Sequence, residues 1–456
     1  MNILSAGSIA QHWHHYKQTV LADPRLGALK AFRDQLLCDQ GFAAAFAEDP
    51  VSVLSATNPR LKPADLSPFI TPLQRRLLGH QSEPSELALL LKQALGLDQA
   101  LRQQFMQAAP LHSGWRSWRA LQMQRYLRED ASPRGSQITH IPFAIELTRG
   151  CSGACAFCGL SAPPLQRSDA DYVGSDAAFR QLLSRLANLC GEFGQSGVLY
   201  WATDPLDDSA YEHHAELFAD SFGYWPRTTT ALAETQLERF QHLLRSGATD
   251  RPWGIRCSMR SPAAFRQLLR GLSDQERALV QLLPQYDQAS SLRAVAGRAY
   301  DPAALARQDA VGGTIACMSG LLISLPRLQV QLITPCRAEP RHPTGYRVIA
   351  SEKVAAAADL SAAVDQLINQ LPLPPLGLEQ RLTVAVDSSQ FSLYHSPSFP
   401  DLLPRLQASP CSLSQLSGEV ASPLHRTDLL AYCLSLFQSG VIRVDASPEQ
   451  YHPATA

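Results

Sequence analysis

Three cysteines stand close together in an otherwise scattered set: Cys151, Cys155 and Cys158, in the spacing Cys-x-x-x-Cys-x-x-Cys. Iron–sulfur clusters are held by cysteine thiolates. Three thiolates in one short loop leave one iron of a [4Fe–4S] cubane open, like the open coordination position of a catalytic metal. Gly150 and Gly153 allow such a loop to wrap closely around a metal. The competing reading is a structural zinc site. Zinc motifs usually pair two Cys-x-x-Cys-like units to reach four ligands, and no second pair of that kind follows in this chain.

The other cysteines are Cys38, Cys190, Cys257, Cys317, Cys336, Cys411 and Cys433. In a reducing cytosol, thiols serve metal binding or catalysis more often than disulfides. The ordinary reading of any one scattered cysteine is a small buried hydrophobe. His12, His14 and His15 read as a solvated helix start.

The elements that must position this chemistry follow from periodicity. Residues 1–135 repeat Leu, Ala and Phe at helical spacing, broken by Asp49-Pro50, Asn58-Pro59 and Lys62-Pro63. They predict an all-helical domain. From Ile138, short apolar runs alternate with longer helical stretches. Strands are expected at Phe143–Leu147, Gly197–Trp201, Thr228–Ala231, Ile255–Ser258 and Leu279–Leu283, with helices at Ala178–Phe193 and Tyr211–Phe222. This alternation implies an α/β fold with a parallel sheet, curved by right-handed crossovers toward a partial (β/α) barrel over 136–312. Residues 313–375 read as a β-hairpin region with strands at Thr314–Cys317, Leu321–Ser324, Leu328–Leu332 and Tyr346–Ile349. Residues 376–456 read as a small α+β, winged-helix-like module, from Leu382–Val386 to Gly440–Val444, with a loose tail from Asp445.

Composition sets the outer limits. The chain has 456 residues, 45% of them hydrophobic, and a formal net charge of -1. That balance gives no electrostatic case for a nucleic-acid or anionic-membrane partner. No apolar run is long enough for a membrane span, and the first residues lack a secretory pattern, so a cytoplasmic location is expected.

A longer signature surrounds the cysteines. It comprises Phe143-Ala-Ile-Glu-Leu-Thr-Arg-Gly-Cys151, Tyr200-Trp-Ala-Thr-Asp-Pro205, Pro226-Arg-Thr-Thr-Thr-Ala231, Ala296-Gly-Arg298, Thr314-Ile-Ala-Cys-Met-Ser-Gly320 and Leu332-Ile-Thr-Pro-Cys336. Over about 140 to 350 this set resembles the radical S-adenosylmethionine (SAM) peptide epimerases of proteusin-type maturation. The resemblance implies a radical SAM partial barrel in which Cys151, Cys155 and Cys158 hold a [4Fe–4S] cluster and its open iron takes SAM. It implies a ribosomally synthesised precursor peptide, leader plus core, as substrate, and conversion of chosen L-residues to D-residues. An electron donor such as flavodoxin or ferredoxin is a further implied partner. A radical from SAM would remove an α-hydrogen, and a thiol on the opposite face would return one.

Strand ends supply the remaining candidates. Thr203 and Asp204 are expected at the SAM amino group, Asp204 alternatively as a turn residue before Pro205. Thr229, within Thr228–Thr230, is expected to contact SAM or peptide. Arg256 and Ser258 suit the SAM carboxylate and ribose, since a guanidinium forks onto a carboxylate. Arg298 is a further carboxylate or peptide contact. The hydrogen donor is placed first at Cys336, then Cys317, then Cys257. Cys317 and Cys336 could also belong to an auxiliary cluster, which would need more ligands than two. Peptide crosslinking and non-catalytic peptide binding are the other functions open to this sequence. The N-terminal helices are expected to help recognise a leader peptide.

Overall fold

The structure, a computed structural model, describes residues 6–79, 83–130, 138–166, 175–286, 295–301, 314–371, 379–386, 388–394, 396–438 and 441–444. The tail expected from Asp445 lies outside them. The molecule is a mixed α/β protein with a helical N-terminal region. It divides into two compact units, Met1–Ala109 with Gln137–Ala363, and Pro110–Ser136 with Val364–Ala456.

The N-terminal helices are α1 (Ala6–Ala22), α2 (Arg25–Cys38), α3 (Gln40–Glu48), α4 (Pro50–Thr57), α5 (Pro63–Leu66), α6 (Pro72–Leu77) and α7 (Glu86–Gln107). Pro50 and Pro63 start helices, whereas Pro59 lies in the turn between them. Asp49 caps α4 by accepting from Ser52 N–H at 3.0 Å, with Pro50 at the first helical position. Thr71 and Gln74 form a capping box ahead of Pro72.

These helices do not form a separate domain ending at 135. Trp13, Tyr16, Leu29, Phe32 and Leu91 share one core with Trp253 and Ala278, far along the chain. Trp13 Nε1 donates to the Thr249 carbonyl at 2.8 Å, Tyr16 Oη to that of Ala278 at 2.9 Å, and Trp253 Nε1 to that of Ala94 at 2.8 Å. Each buries an aromatic body while its polar tip finds a carbonyl. Helix α8 (Ser113–Glu129) belongs to the other unit, where Leu121 packs on the C-terminal core.

The βα alternation is present. Strand β1 (Ile141–Glu146) is followed by α9 (Asp176–Cys190) and α10 (Tyr211–Phe222), then β2 (Thr228–Thr230), α11 (Leu237–Leu244), β3 (Ile255–Met259), α12 (Pro262–Gly271), α13 (Asp274–Leu279) and β4 (Val280–Pro284). Strands β2, β3 and β4 form one parallel sheet. The strand expected at Gly197–Trp201 is reduced to a single parallel bridge, Ala144 to Val198, because the chain turns into the Tyr200–Asp204 segment directly after it.

Strands β5 (Met318–Ser324), β6 (Gln329–Pro335) and β7 (Tyr346–Lys353) complete a second sheet of order β1-β5-β6-β7. The hairpin pairs are antiparallel as expected, but β5 runs parallel to β1, so this region extends the sheet that β1 begins, separate from the β2-β3-β4 sheet. All seven β5 residues are buried between two neighbours, whereas edge strand β7 carries Arg347, Glu352 and Lys353. Thr314–Cys317 is not a strand; it leads into β5.

In the second unit, β8 (Arg381–Val384), β9 (Cys411–Ser412) and β10 (Ile442–Val444) form an antiparallel sheet of order β10-β8-β9. Helices α14 (Leu402–Ala408), α15 (Leu413–Gly418) and α16 (Pro423–Gln438) bury Leu406, Leu416, Cys433 and Phe437 against it. Among the described residues, no helix is long and apolar enough to cross a membrane.

Candidate functional site: a cavity at the cysteine loop

The chain leaves β1 at Glu146 and enters the cysteine loop within a few residues. Cys151 N–H donates to the Pro163 carbonyl at 2.9 Å, and Gln166 N–H to that of Arg149 at 2.8 Å, closing the loop at its base. Gly150 has φ +86°, and a Cβ there would lie 2.3 Å from the Pro164 carbonyl oxygen, so only glycine fits. Ser152 bonds Asp207 twice, N–H to Oδ2 at 2.8 Å and Oγ to Oδ1 at 2.6 Å. Arg298 donates from Nη1 to the Cys155 carbonyl at 3.1 Å and from Nη2 to that of Ala162. Arg298, expected as a carboxylate or peptide contact, holds the cysteine loop like a clamp.

The three thiols are held by the loop's own backbone. Gly153 N–H donates to Cys151 Sγ at 3.3 Å, Cys155 Sγ to the Gly153 carbonyl at 3.6 Å, and Ala162 N–H to Cys158 Sγ at 3.4 Å. Burial pushes the thiols of Cys151 and Cys155 up, to about 12 and about 11. A metal must displace those protons to bind. Among the described residues, no three His, Cys, Asp or Glu side chains converge tightly enough for a single ion. A cubane presents its irons at separate corners, so its ligands stand further apart than those of one ion. Three sulfur donors on one loop fit that larger group.

Cys151, Cys155 and Cys158 line a cavity of about 370 Å³. Thr203, Asp204, Thr229, Arg256, Ser258 and Cys317 line the same cavity. Period-2 geometry sorts the strand residues. Thr229 faces the cavity, with Oγ1 2.9 Å from Tyr200 Oη and accepting from Arg256 Nε at 3.0 Å. Thr228 turns away and bonds Tyr211 Oη at 2.6 Å, while Thr230, buried at the cavity's edge, donates to Asp204 at 2.7 Å. On β3, Arg256 and Ser258 face the cavity and Cys257 between them is fully buried away from it. Cys257, third among the candidate hydrogen donors, is thus not brought to the cavity.

Asp204 sits at the cavity but is occupied. It accepts from Leu206 N–H at 3.0 Å, Thr230 Oγ1 at 2.7 Å and Ala231 N–H at 2.7 Å. Burial raises its carboxyl to about 6 against those bonds. Its geometry is that of the turn residue before Pro205, strapped to the end of β2.

The two hairpin cysteines separate. Cys317, just before β5, reaches the cavity; Cys336, just after β6, is fully buried and is not among its lining residues. Of the two cysteines, the one placed first, Cys336, lies in packed interior, and the one placed second lines the cavity. Burial raises the Cys317 thiol, keeping it protonated.

Sequence reasoning missed one wall. Arg102 and Phe105 of α7, Arg227 before β2 and Arg251 before β3 all line the cavity. Arg227 pairs with Asp98, and Arg102 Nε donates to Asp98 at 3.0 Å. Arg251 donates from Nη1 to the Gln195 carbonyl at 2.9 Å, and its guanidinium lies 5.0 Å from the Phe105 ring centroid. Helical spacing of Asp98, Arg102 and Phe105 on one face was the signal available.

No family model matches the chain. It is 31% identical over 281 residues to the uncharacterized protein y4wI of Sinorhizobium fredii (strain NBRC 101917 / NGR234), covering 58% of this chain and 54% of that protein. The chain thus spans about half the length of that relative. Among solved structures, the crystal structure of BtrN in complex with AdoMet and 2-DOIA aligns with 42% of this chain and 72% of its own, at 13% identity and a TM-score of 0.28. A superposition that loose bears on neither fold nor activity.

Proposed function

We propose that the chain is a radical SAM enzyme that inverts α-carbons in a ribosomally made peptide. The observation that carries this reading is the shared cavity: three cluster-type thiols, the strand-end Thr229, Arg256 and Ser258, and a separate protonated thiol, Cys317, all face one space. A [4Fe–4S] cluster with SAM, when bound, would supply a hydrogen-abstracting radical. Cys151, Cys155 and Cys158 would hold the cluster, and Arg256, anchored through Thr229, would present its guanidinium fork to a carboxylate.

Cys317 supplies the second half of the reaction. A thiol gives a hydrogen atom only while protonated, and burial maintains that state. Returning the hydrogen to a planar α-carbon radical from the face opposite abstraction inverts the centre. The thiyl left on Cys317 regains one electron, from a flavodoxin- or ferredoxin-type donor, and one proton. The direction of inversion rests on placement, which the rigid strand ends provide. Helix α7 shares in the cavity wall, so the N-terminal helices would meet the peptide core as well as a leader.

The test is anaerobic reconstitution with SAM, reductant and a candidate precursor peptide sought among the neighbouring open reading frames. The C151A/C155A/C158A variant should bind no cluster and release no 5′-deoxyadenosine. In D₂O, each inverted residue should gain one deuterium, and C317A should stop inversion while SAM cleavage continues. Inversion that survives in C317A and fails in C336A would return the donor role to Cys336. Products lighter by two hydrogens, with no deuterium, would replace epimerisation with crosslinking.

A further inference from the structure

Four arginines crowd around one carboxylate on the wall of this cavity. Arg102, Arg227, Arg251 and Arg256 all line it, and Asp98 is the acid they surround. Asp204, the other described acid that lines the cavity, is taken up by Leu206, Thr230 and Ala231, so the four cations outnumber the acids in a partly dry site. Such an excess is costly, because a buried charge needs a partner.

The guanidiniums are also incompletely used. Arg227, on a side chain only 13% exposed, leaves Nε buried without a hydrogen-bond partner. Arg251, 4% exposed, meets a carbonyl and the Phe105 ring but no carboxylate among the described residues. Burial first, and then the nearby Arg227, pull Arg251 down to about 9, a cation held at a disadvantage. Arg256 already has Thr229, and the proposed function gives it SAM. That leaves Arg102, Arg227 and Arg251 with positive charge facing the cavity and, among the described residues, Asp98 as the acid paired with them.

We propose that Arg102, Arg227 and Arg251 form an oxyanion subsite of the cavity that receives a carboxylate or phosphate group of the substrate. Planar guanidiniums grip both oxyanions through paired N–H donors. The substrate is then an anionic one: for a peptide, a segment bearing Asp, Glu, a phosphorylated residue or a terminal carboxylate near the reacting carbon. This rests on the reading of the cavity as catalytic, and its test is separate from that of SAM cleavage.

Inorganic phosphate and glutarate are titrated calorimetrically into the full chain at matched ionic strength, alone and with saturating SAM. Saturable binding of either, retained with SAM present, is expected. Phosphate alone points to a phosphorylated substrate, and glutarate to a carboxylate. R227Q and R251Q should weaken binding by about tenfold or more. R102Q, whose side chain is 35% exposed, should fold and weaken binding even where the other two do not fold. No saturable binding of either probe, unchanged affinity in R102Q, or complete displacement of the anion by SAM overturns the subsite. SAM cleavage is assayed on the same preparations. Anion binding without SAM cleavage overturns the radical SAM reading alone, and SAM cleavage without anion binding overturns the subsite alone.

Discussion

Among the described residues of the first unit, buried cations occur in two places, and they are handled differently. Where α2 packs on the β4 segment, Lys30 is 1% exposed, pairs with Asp34 one helical turn on, and donates to the Val280 carbonyl at 2.9 Å. Its ammonium also lies 5.4 Å from the Trp253 ring centroid. Arg33 reaches Asp34 from the solvent side at 3.1 Å. Every strong donor there is matched within the protein. On the cavity wall, Asp98 must serve Arg102 and Arg227 together, and Arg251 has no acid of its own. A closed pair holds helix to sheet, whereas an open excess of charge invites a ligand.

The largest effect expected from this contrast is at the closed pair. D34A would strand the Lys30 charge in the interior and should cost about 3–5 kcal/mol in urea unfolding. Replacing both partners, K30M/D34L, should restore most of that loss, since the desolvation penalty of the pair disappears with it. If D34A is nearly neutral, the pair is not closed and the contrast fails.

At the open site the effect is smaller and depends on pH. Burial alone would raise the Asp98 carboxyl, but Arg227, Arg102 and Arg256 overcome it and hold the group at about 2. The folded value lies below the unfolded one, near 3.9. Acid therefore favours the unfolded chain. The contribution is whole above about pH 4 and is lost as the pH falls toward 2, a change of about 2 kcal/mol. The stabilities of wild type and D98N should converge by that amount as the pH falls through this window and run parallel above it. D98N should also tighten phosphate binding, because it removes the competing anion.

The smallest effect calibrates the other two. Arg180 and Asp220 pair at 3.0 Å between α9 and α10, with side chains 53% and 62% exposed. R180A should change stability by less than about 0.5 kcal/mol, and salt should erase the difference.

The cysteine loop and the strands around it were legible because local spacing encodes them. Three thiols in one loop need no long-range information, and β1, β3 and β4 follow apolar runs bounded by turns. The strand expected at Gly197–Trp201 failed because hydrophobicity marks burial, and Val198 is buried with only one bridge to Ala144. Which of Cys317 and Cys336 lines the cavity was not legible, because it depends on how the residues flanking the β5–β6 hairpin are turned. Arg102 was hidden for a related reason. Periodicity placed it on the polar side of α7, and only the packing of α1, α2 and α7 around Trp253 brings that side to the barrel. The helical region was read as a separate domain because its core partners, Trp253 and Ala278, lie more than a hundred residues away in sequence.

The clamp on the cysteine loop has a consequence in time. Gly297 has φ +60°, and its backbone lies so close to Cys158 and Gly159 that a Cβ would fall 2.4 Å from the Cys158 carbonyl oxygen. Arg298 N–H donates to that carbonyl at 2.9 Å, and its side chain holds the Cys155 carbonyl across 143 positions of sequence. During synthesis the three thiols therefore leave the ribosome roughly 7–30 s before the segment that fixes their loop, at ordinary elongation rates. Over that interval they are open to oxidation or to capture by stray metal. Loading of the intended group must wait for the downstream chain, so slow elongation or oxygen during expression should lower the fraction of chains that can be loaded.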